Sequence, residues 1–313
     1  MIIGVPKEIK NNENRVAIIP EKAAMLSEQN HNILIESNAG IGAGYPDKDY
    51  VNSGCTIISN VEEIYKNAEL ITKVKEPLKS EYKYLNKKSI LFTFLHLAAN
   101  KNLLMNLLKS EMTSIAYEAV TKNGKTFPIL KPMSEIAGKL APQIAANFLQ
   151  KQYGGPGLLI GGTSNIKPLN ISIIGAGIVG YNAAIISNGM GANVTVFDID
   201  NNKLLNIKNY DKKIKTQFSS KENLAKYLPS SHIIINGVYI PGSKTPKVID
   251  VSIQKLIKKD ALIIDVAIDQ GGGVENLNAT SHDKPIVKLN NFYGYAVPNI
   301  PGIVPKTASK ALN

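Results

Sequence analysis

The sequence predicts an α/β fold of two domains, one a doubly wound parallel sheet and the other an N-terminal α/β domain of related topology. Three observations support this prediction. With 313 residues, the chain is long for a single hydrophobic core. Short β-branched runs alternate with helix-like segments along most of its length, which is typical of parallel sheets. In the second half, a glycine-rich turn directly follows one of these runs.

Residues 1–130 are predicted to form the first domain. The chain starts with a strand at IIGVP, continues with a helix from near Glu21, and returns to a strand at NILIES. Further strands are predicted at residues 70–75, 90–95 and 114–119. Because strands and helices alternate, this domain is expected to contain a parallel sheet.

Two prolines, Pro128 and Pro132, interrupt the pattern and indicate the boundary between the domains. After them, Ser134 is predicted to cap a helix over residues 135–153, which would end at a glycine pair. Pro142 lies inside this helix and is expected to kink it.

Residues 131–301 are predicted to form the second domain. Its strands are predicted at residues 171–174, 194–197, 216–219, 233–238 and 262–268. This arrangement indicates a doubly wound sheet, in which a ligand binds outside the carboxyl ends of the strands.

The clearest functional signal is the glycine-rich turn between Ile171 and Asp198. Gly175, Gly177 and Gly180 have the G-x-G-x-x-G spacing, after a strand-like run and before a helix-like segment. The first glycine permits the turn, the second lets the backbone approach a pyrophosphate, and the third allows the helix to pack closely on its strand. Asp198 ends the next strand, where a carboxylate accepts hydrogen bonds from a ribose 2′-hydroxyl. The pattern predicts a Rossmann dinucleotide site that prefers NAD to NADP, the alternative being a purely structural glycine turn.

Composition and charge narrow the function classes. The net charge is +11, but the lysines are scattered among acids and asparagines, with no basic stripe interleaved with aromatic residues. No nucleic-acid partner is therefore expected, and the charge is interpreted as solvated helix faces that attract anionic ligands. No apolar run approaches the roughly 18 residues that cross a bilayer, so no membrane partner is expected either.

Two features suggest a cytoplasmic protein. The N-terminus MIIGVPKEIK begins as a strand and lacks the layout of a signal peptide. The single cysteine, Cys55, fits a reducing compartment and is interpreted as a small buried hydrophobic residue. The four histidines and one cysteine are too dispersed for a metal site, so no metal is expected.

Several charged residues are candidates for catalysis or substrate binding, each with a structural alternative. Arg15 is the only arginine among 36 cationic residues, which suggests a site that needs a planar fork, with chance retention as an equal alternative. His96 and Lys75 both end predicted strands, and the alternatives are a core histidine and a solvated loop lysine. Asp269 follows the run ALIIDVAI, with a turn-forming acid as the alternative, whereas Asp265 inside that run is interpreted as a loop-anchoring acid.

Ten segments carry a resemblance that spans nearly the whole chain. They are GVPKEIKNNENRVA (4–17), KVKEP (73–77), LFTFLHLA (91–98), SIAYEAV (114–120), PMSEIAGKLA (132–141), GAGIVGYNAA (175–184), NGMGANVTVFD (188–198), PGSKTPK (241–247), DVAIDQGG (265–272) and VPKT (304–307). In these segments the chain resembles the alanine dehydrogenase and pyridine nucleotide transhydrogenase family.

The resemblance implies a substrate site and a catalytic pair. Arg15 and Lys75 are expected to hold the carboxylate and the carbonyl oxygen of the substrate. His96 is expected to carry protons, and Asp269 to position water or the amine. The lone arginine is thereby assigned to the carboxylate clamp.

The resemblance also implies NAD as the coenzyme. Besides the three glycines and Asp198, the implied contacts are Ser134, Ile178, Val179, Lys203, Ser220, Val238, Tyr239, Val266, Ala267, Ile268, Asp269, Val297, Pro298, Asn299 and Ile300. Three positions depart from the family pattern. Tyr239 replaces an apolar neighbour of the coenzyme, Asn278 stands where relatives carry a coenzyme-contacting arginine, and Pro142 interrupts a helix that the family keeps regular.

The implied reaction is the reversible oxidative deamination of L-alanine by NAD to pyruvate and ammonium, carried out by a homo-oligomer that is a hexamer in the family. Family members continue beyond VPKT with helices that return to the substrate domain, so residues 302–313 are expected to begin a shortened return segment. This short end leaves open an alternative, a catalytically impaired NAD-binding remnant or partner subunit. A transhydrogenase alpha-like subunit is a further alternative, which the LHLA and PMSEIAG segments make less favoured.

Overall fold

The computed structural model describes the chain over residues 1–124, 126–240 and 243–313. The segment 241–247, one of those that carry the resemblance, begins with Pro241 and Gly242, which lie outside the described residues. Within the described ranges, no helix has the length and apolar character needed to cross a membrane.

The chain folds into two compact units. Unit 1 comprises Met1–Met133 together with Pro301–Asn313, and unit 2 comprises Ser134–Ile300. The chain passes from unit 1 to unit 2 within the helix Leu130–Phe148, and it returns to unit 1 within a short 3-10 turn at Ile300–Ile303.

Unit 1 is built on a sheet whose strands all run parallel, in the order β3-β2-β1-β4-β5-β6. The strands are β1 (Ile2–Val5), β2 (Asn32–Glu36), β3 (Thr56–Ile58), β4 (Leu70–Thr72), β5 (Ile90–Thr93) and β6 (Thr113–Ala116). Ile3 of β1 pairs with Ile33 of β2 and with Leu70 of β4, which makes β1 a central strand. Ile35 and Leu91 are fully buried, as expected for a parallel sheet covered on both faces.

The helices that follow these strands are α1 (Pro20–Glu28), α2 (Asp47–Asn52), α3 (Val61–Asn67) and α4 (Lys101–Ser110). Asparagine side chains cap two of them. Asn60 accepts the N–H of Glu62 at the start of α3, and Asn100 accepts the N–H of Leu103 at the start of α4.

The strands of unit 1 end earlier than the sequence predicts. β4 and β5 both stop before their apolar runs do. The first amide after each strand still binds its neighbour, since Lys73 donates to Phe92 and Phe94 donates to Val74, but the amides that follow bind carboxylates. Val74 donates its N–H to Glu8 at 2.6 Å, and His96 donates its N–H to Glu118 at 2.7 Å. β3 was not predicted, since its three residues are too few to form a recognisable alternation.

Helix α5 (Leu130–Phe148) also differs from its prediction. The assignment of Ser134 as its cap is wrong, because the helix begins five residues earlier than predicted and Ser134 lies within it. Pro132 is accommodated in the first turn, where backbone N–H groups have no partner inside the helix. Pro142 lies inside the helix, which ends before residue 153, and a separate 3-10 turn follows at Lys151–Tyr153.

Unit 2 is built on a larger sheet, in the order β12-β13-β11-β10-β7-β8-β9. Its strands are β7 (Asn170–Ile174), β8 (Asn193–Asp198), β9 (Lys215–Phe218), β10 (Ile233–Asn236), β11 (Leu262–Asp265), β12 (Ile286–Leu289) and β13 (Phe292–Tyr295). Neighbouring strands run parallel except β12 and β13, which form an antiparallel hairpin at one edge. The sequence did not predict this hairpin, because β12 has no buried residue and therefore no clear apolar pattern.

The helices of unit 2 are α6 (Ile178–Gly189), α7 (Asn201–Tyr210), α8 (Lys221–Tyr227) and α9 (Val251–Gln254). A final helix, α10 (Pro305–Leu312), lies in unit 1. Its buried Ser309 accepts the N–H of Val16 at 2.9 Å, which fixes the backbone directly after Arg15.

The strand order of unit 2 reverses between β7 and β10. β8 and β9 extend from β7 on one side, whereas β11 and β13 extend from β10 on the other. Ligands of doubly wound sheets bind outside the carboxyl ends of the strands at such a point. The turns after β7 and β10 approach closely here, since a Cβ on Gly175 would lie 3.0 Å from the backbone of Gly237. The predicted α/β fold with two sheet-based domains is confirmed.

Candidate active site

The turn after β7 has a geometry that requires glycine. Gly175 has a φ of +95°, a conformation that other residues rarely adopt. A Cβ on Gly180 would lie 1.7 Å from the carbonyl oxygen of Gly175, so α6 packs on the turn only because glycine is present. A Cβ on Gly177 would meet no atom within 4 Å, so this position faces open space. Such space permits the close approach of a pyrophosphate.

Helix α6 begins beside this open space. Its N-cap is Gly177, and no side chain of the described residues caps the helix there. The first backbone N–H groups of α6 therefore stand at the positive end of the helix dipole without a capping acceptor. The turn fits a dinucleotide, since the glycines provide space and the helix provides donors for a pyrophosphate.

Asp198, the last residue of β8, fixes the glycine turn. Its carboxylate accepts the N–H of Ala176 at 2.6 Å and the N–H of Asp200 at 2.8 Å. The side chain is buried. Each carboxylate oxygen accepts more than one hydrogen bond, so Asp198 retains the capacity to bind ribose hydroxyls.

Most other predicted coenzyme contacts lie just beyond the carboxyl ends of the strands. In chain order, they are Ile178 and Val179 in the first turn of α6, Lys203 on α7, Ser220 at the cap of α8, Val238 and Tyr239 after β10, Val266, Ala267 and Ile268 after β11, and Val297, Pro298 and Ile300 after β13. Because these strands run parallel, the residues share one edge of the sheet. Ser134 follows no strand, since it lies within α5.

Two aspartates, one at the end of β11 and one in the turn after it, have different surroundings. Asp265 is fully buried, and its carboxylate accepts the side-chain amide of Asn236 and the N–H of Gly273, both at 2.8 Å. Burial raises the pKa of Asp265. Its interpretation as a loop anchor is confirmed by these bonds. Asp269 lies in the 3-10 turn after β11 and accepts the N–H of Asn299 at 2.9 Å, which brings two predicted site residues together.

In unit 1, Arg15 lies between β1 and α1 and is 2% exposed. Its Nε and Nη2 donate to the two carboxylate oxygens of Glu13 at 2.8 and 2.7 Å. Nη1 lies 3.4 Å from the Sδ of Met133. Burial alone raises the pKa of Glu13, but the charges of Arg15 and Lys75 outweigh it, so this pKa lies below its ordinary value. The ion pair with Glu13 uses the Nε–Nη2 edge of the guanidinium, and Nη1 donates to Met133 rather than to Glu13.

Lys75 lies in the turn after β4. The prediction that it ends a strand is wrong by three residues, since β4 stops at Thr72. The alternative of a solvated lysine is also wrong, because Lys75 is 3% exposed. Its Nζ lies 3.8 Å from the Oε2 of Glu76, and its backbone N–H donates to Glu8 at 3.3 Å.

A buried cluster of charges supports the turn that carries Lys75. Lys73 has no exposed surface, and its Nζ lies 2.8 Å from Glu81 and 3.6 Å from Glu8. The hydroxyl of Tyr65 donates to Glu81 at 3.2 Å. Burial raises the pKa of Glu8, against the opposing effect of Lys73. Sequence reasoning missed this cluster.

His96 follows β5 in the left-handed region, with a φ of +47° that is uncommon for a residue with a side chain. Glu118 stabilises this conformation, because it accepts the N–H of His96 at 2.7 Å and the N–H of Leu95 at 3.2 Å. The imidazole stacks on Phe94, with centroids 5.8 Å apart and planes inclined by 6°. The prediction that His96 ends the strand is wrong, since β5 stops at Thr93.

The structure brings the three turns of unit 1 together. The segments that carry Arg15, Lys75 and His96 follow β1, β4 and β5, which are neighbours in the sheet. Because these strands run parallel, the segments lie at the same carboxyl edge.

Each of these segments is held by a glutamate that sequence reasoning missed. Glu8 and Glu118 bind backbone amides 66 and 22 residues away, and no local pattern reveals such pairs. Glu13 stands two residues before Arg15, so the spacing E-x-R is the one signal that was available.

No metal-binding group of three or more histidine, cysteine, aspartate or glutamate residues is present in the part of the chain that the structure describes. Cys55 is buried, and burial raises the pKa of its thiol to about 11. Its interpretation as a small buried hydrophobic residue is confirmed.

Known proteins resemble this chain along its whole length. The family models of the alanine dehydrogenase/PNT N-terminal and C-terminal domains match residues 4–137 and 141–313. The alanine dehydrogenases of Methanococcus maripaludis and Bacillus subtilis are each 44% identical to it over 314 residues. These alignments cover the whole chain and 84% and 82% of the two relatives, respectively.

Solved structures also resemble this chain over its whole length. An L-alanine dehydrogenase superimposes with a TM-score of 0.92 at 41% identity, covering the whole chain and 87% of that protein. A transhydrogenase from Sinorhizobium meliloti superimposes with a TM-score of 0.84 at 20% identity, covering the whole chain and 91% of that protein, which shows the shared fold alone. The chain therefore belongs to the alanine dehydrogenase/PNT family, whose members use a nicotinamide coenzyme.

Proposed function

We propose that this chain catalyses the reversible oxidative deamination of L-alanine by NAD and water, giving pyruvate, ammonium, NADH and a proton. The observation that carries the proposal is the carboxyl edge of unit 1, where Arg15, Lys75 and His96 follow three neighbouring parallel strands. Two buried cations suit a small carboxylate, and an imidazole suits proton transfer near neutral pH. The alanine dehydrogenases at 44% identity support alanine as the amino acid.

Arg15 and Lys75 bind and orient the substrate. The Nη1–Nη2 edge of Arg15 has the planar geometry for a carboxylate, and Lys75 polarises the carbonyl oxygen of pyruvate. Because Arg15 is held by the buried Glu13 and Lys75 is itself buried beside the partly buried Glu76, they fix the substrate in one orientation and reduce the entropic part of the barrier. NAD, when bound, supplies the acceptor for the hydride that leaves Cα.

His96 and Asp269 serve the steps that exchange amine for oxygen. Loss of the hydride from Cα and of one proton from the ammonium nitrogen gives an iminium, to which water adds before ammonia leaves. His96 takes a proton from the attacking water and returns it to the departing amine. Asp269, whose position is set by the N–H of Asn299, orients the water or the amine.

We assign NAD binding to unit 2 and substrate binding to unit 1. Gly175, Gly177 and Gly180 accommodate the pyrophosphate, and Asp198 accepts the ribose hydroxyls. The carboxylate of Asp198 repels a 2′-phosphate, which favours NAD over NADP.

The decisive experiment is the consumption of NADH by the purified chain in the presence of pyruvate and ammonium. Turnover is expected, with little activity when ammonium is omitted or NADPH is used. NADH binding without turnover contradicts the proposal and favours the impaired alternative, whereas hydride exchange between two nicotinamide nucleotides favours a transhydrogenase. His96→Gln and Asp269→Asn are expected to lose most turnover while they retain NADH binding.

We further propose that the chain works as a cytoplasmic homo-oligomer, a hexamer by family resemblance, without nucleic-acid or membrane partners. Size-exclusion chromatography with light scattering on the active protein tests this. A monomer with full activity would contradict the oligomeric part of the proposal.

A further inference from the structure

Glu13 is buried beside Arg15, with 1% of its side chain exposed. It accepts three hydrogen bonds from Arg15, from Nε at 2.8 Å, from Nη2 at 2.7 Å and from the backbone N–H at 3.0 Å. A buried carboxylate is costly unless it is paired, so the contact ties the two side chains to one geometry. Three bonds to one residue fix both the position of the guanidinium and the rotation of its plane.

Lys75 also acts on Glu13. Together with Arg15, it holds the pKa of Glu13 below the ordinary value, so the carboxylate interacts with both buried cations. Without a nearby anion, two buried cations repel each other and disfavour a rigid arrangement. Glu13 therefore satisfies both the geometry and the charge balance of this edge.

We propose that Glu13 is a positioning residue for the substrate, which fixes the guanidinium of Arg15 so that its Nη1–Nη2 edge is presented to the substrate carboxylate. The inference rests on the proposed function, because it assigns Arg15 to that carboxylate. Neither conservative replacement reproduces the contact. Aspartate is one methylene too short, and glutamine places an N–H donor against an N–H of the guanidinium.

The test compares Glu13→Asp and Glu13→Gln with the wild-type chain and with Glu111→Gln. Glu111 is a matched control, because it is a glutamate of the same unit in an exposed ion pair with Lys87 at 3.5 Å. In both Glu13 variants, the KM for pyruvate is expected to rise by about tenfold or more. The Kd for NADH is expected to stay within about twofold of wild type, since unit 2 is unchanged. Glu111→Gln is expected to match wild type in both constants.

Several outcomes overturn the inference. An unchanged KM for pyruvate in Glu13→Asp overturns it and leaves the proposed function intact. Equal losses of pyruvate and NADH affinity, or failure of both variants to fold, give Glu13 a general structural role and also overturn it. If only Glu13→Gln fails to fold, the KM for pyruvate of Glu13→Asp decides whether the inference holds. A wild-type chain without turnover contradicts the proposed function instead, and Glu13 is then judged by the calorimetric Kd for pyruvate in the presence of NADH.

Discussion

The carboxyl edges of the two sheets use different parts of the protein chain, backbone groups in one unit and side chains in the other. In unit 2, the edge depends on the backbone, because Gly175 and Gly180 remove Cβ atoms and α6 presents its amides. In unit 1, the edge depends on side chains, because buried glutamates hold Arg15 and the turn that carries Lys75. A site formed by the backbone is therefore expected to fail abruptly when atoms are added, whereas a site of paired side chains is expected to weaken in steps as each partner is removed.

The largest effect is expected from Gly180→Ala. The new Cβ would lie 1.7 Å from the carbonyl oxygen of Gly175, and neither backbone segment can yield without moving α6 from its strand. We expect the free energy of unfolding to fall by about 3 kcal/mol or more and NADH binding to disappear. Urea unfolding and NADH fluorescence titration measure the two effects.

Two further glycine variants make this test specific. A Cβ on Gly177 or on Gly189 meets nothing within 4 Å, so both alanine variants are expected to fold. Gly177→Ala places a methyl group in the space assigned to the pyrophosphate and is expected to weaken NADH binding. Gly189→Ala, at the end of α6, is expected to bind normally. Equal NADH affinity in all three variants would contradict the backbone account of this edge.

The second largest effect is expected from Arg15→Lys. Lysine keeps the charge but loses the fork, so it cannot serve Glu13 and a substrate carboxylate at the same time. We expect kcat/KM for pyruvate to fall by about 100-fold while NADH binding persists. Lys87→Arg, in an exposed ion pair with Glu111, is the control and is expected to have no effect. Unchanged kinetics in Arg15→Lys would contradict its role as the carboxylate clamp.

The same difference explains what the sequence could predict. The glycine turn and Asp198 were predictable because their geometry is determined within about 25 consecutive residues and follows a known steric rule. The strand ends before Lys75 and His96 were misplaced, since the apolar residues Val74 and Leu95 lie beyond the observed ends of β4 and β5. Their backbone amides bind Glu8 and Glu118 instead of a neighbouring strand. Those partners are distant in sequence, and burial against them is a property of the folded unit.

Local sequence rules also misplaced the start of helix α5 and missed one hairpin. Ser134 has the residue type of a helix cap, and Pro132 was interpreted as a helix breaker before it. The first turn of a helix accepts proline, however, so α5 begins at Leu130 and includes both residues. The antiparallel hairpin of β12 and β13 was missed for a related reason, because an edge strand carries little apolar signal.

An intermediate effect on coenzyme affinity is expected from Asp198→Asn, which removes a charge from the carboxyl edge of the unit 2 sheet. One oxygen remains as an acceptor, so the fold should survive, but the bonds to the ribose and to Ala176 weaken. We expect the affinity for NAD to fall by about tenfold and the ratio of NADP to NAD affinity to rise. Asp200→Asn is the control, because Asp200 caps α7 two residues away and its neutralisation should leave that ratio unchanged. A constant ratio in Asp198→Asn would contradict the assignment of coenzyme preference.

The smallest effect concerns pH and distinguishes two glutamates of unit 1. The pKa of Glu13 is lowered in the folded chain by Arg15 and Lys75, which outweigh burial. Its stabilising contribution is therefore present above the ordinary glutamate pKa of about 4.3 and is lost as the pH falls through the lower folded-state value. We expect the difference in unfolding free energy between wild type and Glu13→Gln to shrink as the pH falls below that range, measured by urea unfolding at several pH values.

Glu8 should behave in the opposite way, although it lies in the same unit. Burial raises its pKa in the folded chain, so its contribution is present at low pH and is lost as the pH rises through the folded-state value. The difference between wild type and Glu8→Gln is therefore expected to change in favour of the variant as the pH rises. Parallel pH dependences for Glu8→Gln and Glu13→Gln would mean that the two carboxylates share one electrostatic environment. The charged groups at the carboxyl edge of unit 1 would then form a single network that includes Glu8, and substitutions there would no longer act in independent steps.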